Sequence, residues 1–187
     1  MNARKGANKV EPIRDIKKIK EIKEHLLQRS YRNYFLFSFG INSGLRISDL
    51  LPLRAGNVRN QQYFIVQEKK TDKFRKVVIT KVLKEDIAKY TYHMADDQLL
   101  FPSQKGNGPI TRIHAWKIIH DAAKACGVEG AIGTHTLRKT FGYHFYQQYK
   151  DIAMLQYIFG HSSPAITFRY IGINDDMVNR AMEKFYL

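Results

Sequence analysis

From Pro12 onward apolar residues return every three or four positions, as Ile13, Ile16, Ile19, Ile22, Leu26 and Leu27, with lysines between them. That spacing predicts an amphipathic helix whose outer face is basic. The stretch "YRNYFLFSFGI" is more apolar and predicts a second, more buried helix, which Gly44 should end. In "LRISDLLPL" Pro52 limits any helix to a turn or two. The period then changes. Two β-rich runs, 62–67 and 74–80, flank the polar connector "KKTDK" and predict a hairpin that exposes lysines at its tip. Beyond it the pattern is helical again over 81–94, 111–126, 134–149, 151–159 and 174–185, with "FPSQKGNGPI" as a loop. Asp151 is a candidate N-cap, as is Ser163, which is followed by a proline in the first helical turn. Residues 1–10 are polar, basic and aperiodic, and are expected to form a flexible tail ahead of one domain over 11–187. The fold class is α+β: a mostly helical domain interrupted by one small antiparallel hairpin.

Charge sharpens this picture. The 187 residues carry 31 Lys and Arg against 17 Asp and Glu, a net charge of +14. A polyanion is the first candidate partner, and binding it would weaken with salt at a log-log slope of about −0.9 per phosphate contacted on duplex DNA. The chain has one cysteine, Cys126, so neither an intramolecular disulfide nor a thiolate metal cluster can form. The longest apolar run, "YFLFSFGI", is far short of the roughly 20 residues a membrane span needs. The expectation is a cytoplasmic protein with no membrane partner.

Several residues could carry chemistry. His135 and Arg138 in "THTLRKTF" are three apart; with Thr134 as the helix cap, both address one anion from a single face. Arg46 and Asp49 in "SGLRISDLL" have the same spacing, and read either as a weak surface salt bridge or as a phosphate-binding guanidinium with an orienting carboxylate. Lys69, Lys70, Lys73 and Lys76 on the hairpin could each deliver a proton or simply grip DNA. Tyr170 ends "GHSSPAITFRY", on a short capped helix that starts just after His161. A free phenol has a pKa of about 10, so on the order of 0.1% is ionised at neutral pH, and a tyrosine nucleophile needs a cationic, proton-accepting neighbourhood.

Taken in order, Arg46 in "GLRISDL", a hairpin lysine in "QEKKT", "HTLR" and "GHSSPAITFRY" strongly resemble the motif series of the tyrosine recombinase (phage integrase) family, over roughly residues 11–187. The resemblance implies that family's catalytic domain. It implies Arg46 and Arg138 as the pair that clamps the scissile phosphate, and His135 as proton acceptor. His161 would hydrogen-bond the same phosphate, Lys70 would protonate the leaving 5′ oxygen, and Asp49 would support the histidine. Tyr170 would be the nucleophile that forms a 3′-phosphotyrosyl bond. Lys69, Lys73, Arg75, Lys76 and Lys139 are expected to contact DNA. No metal and no cofactor are implied. Double-stranded DNA is the expected partner, together with further copies of the chain in a tetramer held by the C-terminal helix over 174–187. Family members usually carry an N-terminal core-binding domain, whereas here only the basic tail precedes the catalytic domain. That departure fits an excised fragment or a naturally short recombinase.

Three rival functions remain at this level. "EKK" at 68–70 fits the Glu-x-Lys element of metal-dependent nucleases, but the Pro-Asp pair that often supplies their upstream ligand does not occur. A DNA-binding regulator could keep the fold without turnover. A type IB topoisomerase would use similar chemistry and relax supercoils as a single subunit.

Overall fold

The computed structural model describes residues 10–69, 72–173, 182, 183, 185 and 186. Helix α1 (Ile16–Arg29) begins where Asp15 accepts a hydrogen bond from the Lys17 amide. Its inward stripe is narrower than the periodicity predicts: Ile22 and Leu26 are buried, while Ile16 and Leu27 stay exposed. Ser30 alone separates α1 from α2 (Tyr31–Ser43). Its amide closes the last turn of α1, and its hydroxyl accepts from the Asn33 amide to open α2.

Helix α2 is the central pillar. Phe35, Leu36, Phe37 and Phe39 are fully buried, and the helix packs against α1, α5 and α7. At Gly40 it lies so close to α7 that an added Cβ would sit 2.5 Å from Leu137 Cδ1. Gly44 ends α2 in the left-handed conformation, with φ of 60°. Two single turns follow, α3 (Ile47–Leu50) and α4 (Ala55–Val58), the second of which the sequence pattern does not announce.

Strands β1 (Tyr63–Gln67) and β2 (Phe74–Val78) form the two-stranded antiparallel sheet, with Ile65 opposite Lys76. Phe64, Val66 and Val77 point into the core, while Tyr63, Ile65, Phe74 and Val78 are exposed. Helices α5 (Lys81–Thr91) and α6 (Arg112–Ala125) are capped by the Thr80 and Thr111 hydroxyls.

Helix α7 (Thr134–Tyr149) departs from expectation at its start. The cap is Gly133, not Thr134: the Thr136 hydroxyl reaches back to accept from the Gly133 amide at 3.1 Å, so no side chain is needed at the cap itself. Helices α8 (Ile152–Phe159) and α9 (Pro164–Ile171) open at Asp151 and Ser163 as the sequence indicates. Leu155, Phe159 and Ile171 form a second, smaller apolar cluster with Phe141, Phe145 and Tyr146 of α7. Gly142 permits this docking, because a Cβ there would come within 2.7 Å of Ile171 Cγ2 and the Phe159 ring. The helix expected over 174–185 and the tail over 1–9 lie outside the described residues.

Candidate active site

The left-handed turn at Gly44 aims its carbonyl into a cleft between α2, β2 and α7. Two guanidinium groups converge on that oxygen: Arg138 Nη1 at 2.7 Å and Arg75 Nη1 at 3.2 Å. Arg75 also donates to the Ser43 carbonyl at 3.2 Å. The other arm of Arg138 donates to the Phe159 carbonyl at 2.9 Å, and its plane lies 4.3 Å from the Phe159 ring centroid. Arg138 is only 2% exposed. Burial lowers its pKa to about 10, so it remains a cation at neutral pH.

Two residues past Gly44, Arg46 enters the same cleft. Its Nη1 lies 2.6 Å from Glu68 Oε2 and 3.9 Å from Asp49 Oδ2. Glu68, buried at the end of β1, also stands 4.0 Å from Arg75. Asp49 Oδ1 accepts from the Lys69 amide and from the Ser48 hydroxyl, both at 3.1 Å. This carboxylate ties α3 to the hairpin and stands beside Arg46.

The nucleophile candidate arrives from the other side of the cleft. Tyr170, on the last turn of α9, is half-buried, with its ring 5.1 Å from the His161 ring and 5.5 Å from the Phe159 ring. Its hydroxyl lies within the field of Arg138 and Arg46, whose charges pull its pKa down. Burial outweighs them and holds the phenol above its ordinary value. Lys139 Nζ lies 5.2 Å from the centre of the same ring.

Both candidate histidines are held neutral. The pKa of His161 is pushed down to about 4, chiefly by burial and then by Arg138 and Arg46. His135 sits at the solvent edge, yet the surrounding protein and the cations Arg112, Arg138, Lys139 and Arg46 lower its pKa as well. A neutral imidazole can accept a proton.

The structure thus gathers His135, His161 and Tyr170 of one chain around the charges of Arg46 and Arg138. Lys70 lies outside the described residues. Lys69, Lys73 and Lys76 are exposed on the hairpin, and Lys76 Nζ rests 3.9 Å from the Tyr63 ring centroid. Arg75 and Lys139, also expected as DNA contacts, point inward: Arg75 backs the Gly44 turn, and Lys139 is 4% exposed under Tyr170. Sequence reasoning missed Glu68 as the partner of Arg46. The strand alternation contained the signal, since Glu68 shares the inward parity of Phe64 and Val66. No three His, Cys, Asp or Glu side chains among the described residues stand close enough to hold a metal ion.

The sequence profile of the phage integrase family matches residues 14–177. A probable integrase/recombinase of Bacillus subtilis, YoeC, is 54% identical over 94% of this chain and 97% of its own length. This chain belongs to the phage integrase family. Other phage integrase relatives are longer. Tyrosine recombinase XerH of Campylobacter jejuni is 29% identical over 81% of this chain, which spans 44% of that protein. XerD of Chlorobaculum tepidum is 26% identical, and 53% of it is covered. The phage integrase fold is shared with the crystal structure of XerA recombinase, with a TM-score of 0.76 over 95% of this chain and 65% of that one, at 23% identity. It is also shared with a lambda integrase dimer bound to a core site, with a TM-score of 0.73 over 91% of this chain and 50% of that one, at 17% identity.

Proposed function

We propose that this chain cleaves and rejoins DNA strands through a covalent 3′-phosphotyrosyl intermediate, with Tyr170 as nucleophile. The observation that carries the reading is the packing of Tyr170 against His161 and against the Phe159 ring that Arg138 covers, all within one chain. In the proposed step the phenolic oxygen forms a bond to phosphorus and the bond to the 5′ oxygen breaks. The phenolic proton passes to His135, and Lys70 supplies a proton to the departing 5′ oxygen. Arg46, Arg138 and His161 face the nonbridging oxygens, where negative charge grows. Burial keeps the phenol protonated at rest, so proton removal accompanies attack rather than preceding it.

The phosphotyrosyl bond retains the energy of the broken phosphodiester. A 5′ hydroxyl from another strand can therefore reverse the step without ATP, which makes strand exchange possible. We extend the reading to a tetramer on paired DNA sites, held by residues 174–187, and to metal-independent turnover. XerH and the Tn1549 transposon integrase, each solved bound to DNA, share this fold and support the DNA partner.

The test is incubation with a nicked suicide duplex, read on a denaturing gel. Wild-type protein should become covalently joined to DNA, equally with EDTA present. Tyr170→Phe should bind DNA and form no covalent product. A wild-type protein that binds DNA but never joins it, matching Tyr170→Phe, would identify a regulator instead.

A further inference from the structure

We propose that Glu68 is a positioning residue for Arg46, holding its guanidinium from behind, in the orientation that meets the reacting phosphate, before any DNA is bound. The proposal rests on the strand-cleavage reading above.

Arg46 is poorly placed to fix its own side chain. It is the cap residue of α3, a single turn, and its side chain makes no capping hydrogen bond there. A free arginine samples many rotamers, and ordering it only when phosphate arrives would weaken binding. Here the fork is already restrained. Nη1 lies 2.6 Å from Glu68 Oε2 and 3.9 Å from Asp49 Oδ2, and this nitrogen is withdrawn from solvent. Asp49 is the more distant of the two, and its other oxygen accepts from the Lys69 amide and the Ser48 hydroxyl. Glu68 therefore carries the contact. A guanidinium offers five N–H bonds in a plane, so a carboxylate behind Nη1 leaves the opposite edge of the fork for a nonbridging oxygen.

Glu68 is itself well anchored. Its amide donates to the Lys73 carbonyl at 2.9 Å, and its carbonyl accepts from the Asp72 amide at 2.8 Å, which pins its backbone within the hairpin. Its side chain is buried, and Oε1 stands 4.0 Å from Arg75 Nη1. Arg75 in turn donates to the Ser43 and Gly44 carbonyls, just ahead of Arg46. One carboxylate thus faces both the Arg46 side chain and the cation that grips the backbone leading into it. A buried ion pair adds little stability, because desolvation offsets the attraction. What this pair provides is direction.

The guanidinium signals of Arg46 in DNA-free protein, assigned by their loss in Arg46→Lys, report the restraint by ¹⁵N-edited NMR. Rotation about the Nε–Cζ bond should be slow in wild-type protein and fast in Glu68→Gln, which keeps the shape and removes the charge. Fast rotation in wild type, or slow rotation that persists in the variant, overturns the proposal. Glu68→Gln should also join the nicked duplex about 10-fold more slowly at undiminished DNA affinity. That is less than the roughly 100-fold that a misplacement of about 1 Å can cost, because the amide oxygen can still accept from Nη1. In an Arg46→Lys background the same change should slow joining no further. Equal rates for wild type and Glu68→Gln, or additive slowing in the double variant, also overturn it. Slow rotation that Glu68→Gln releases, in a protein whose wild type yields no covalent product, upholds the pairing and refutes strand cleavage.

Discussion

One main-chain oxygen organises much of the site. The Gly44 carbonyl takes hydrogen bonds from both Arg138 and Arg75, so two like charges are held on one acceptor while Glu68 offsets charge behind them. The same crowding of cations acts on the histidines. His161 has a folded pKa of about 4, lowered by burial first, against an ordinary value of 6.5. Within that window the unfolded chain binds a proton that the folded chain refuses, so acidification from pH 6.5 toward about 4 removes stability. His135 shifts in the same direction. Melting temperatures taken across this range should fall more for wild-type protein than for His161→Gln, and parallel curves would refute the assignment. No local pattern announces this behaviour. It depends on Arg46, Arg138 and His161, which are far apart in sequence, sharing one cleft.

At the scale of elements, the position of Tyr170 is set by how α8 and α9 seat on α7. Gly142 is the contact that allows it. Gly142→Ala should cost about 1–3 kcal/mol, the usual penalty for overpacking, and should lower the yield of covalent complex further by tilting α9 away from Arg138. Chemical denaturation and the nicked-duplex assay read the two effects separately. Legibility divides along the same line. The amphipathic run of α1, the apolar α2 ended by Gly44, the alternation of β1 and β2, and the caps Asp151 and Ser163 all follow from local chemistry. Close approach does not: Gly142 and Gly40 resemble any helical glycine until a second helix is placed against them. The inward turn of Arg75 and Lys139 is equally silent, because both read as surface cations until the cleft closes around them. Arg46, His135, Arg138, His161 and Tyr170 stand out because each sits in a recognisable string, whereas for Glu68 the strand alternation shows the inward parity but not the partner, Arg46.

For the molecule as a whole, charge and shape act together. A net charge of +14 on a fold whose hairpin exposes Lys69, Lys73 and Lys76 should make duplex binding steeply salt-dependent. Lys73→Ala should weaken binding across all sequences alike and reduce the salt slope by about one, measured by fluorescence titration at several salt concentrations; an unchanged slope would remove Lys73 from the interface. Among the described residues no helix is long and apolar enough to cross a membrane. The interior is divided unequally, with a large core around α2 and the small Leu155, Phe159 and Ile171 group beneath Tyr170. A body built on two nuclei of different size need not melt as a single unit. Warmed gently, such a protein would forfeit its capacity to join DNA while most of its helical signal persists, and on cooling that capacity would be the last thing it regained.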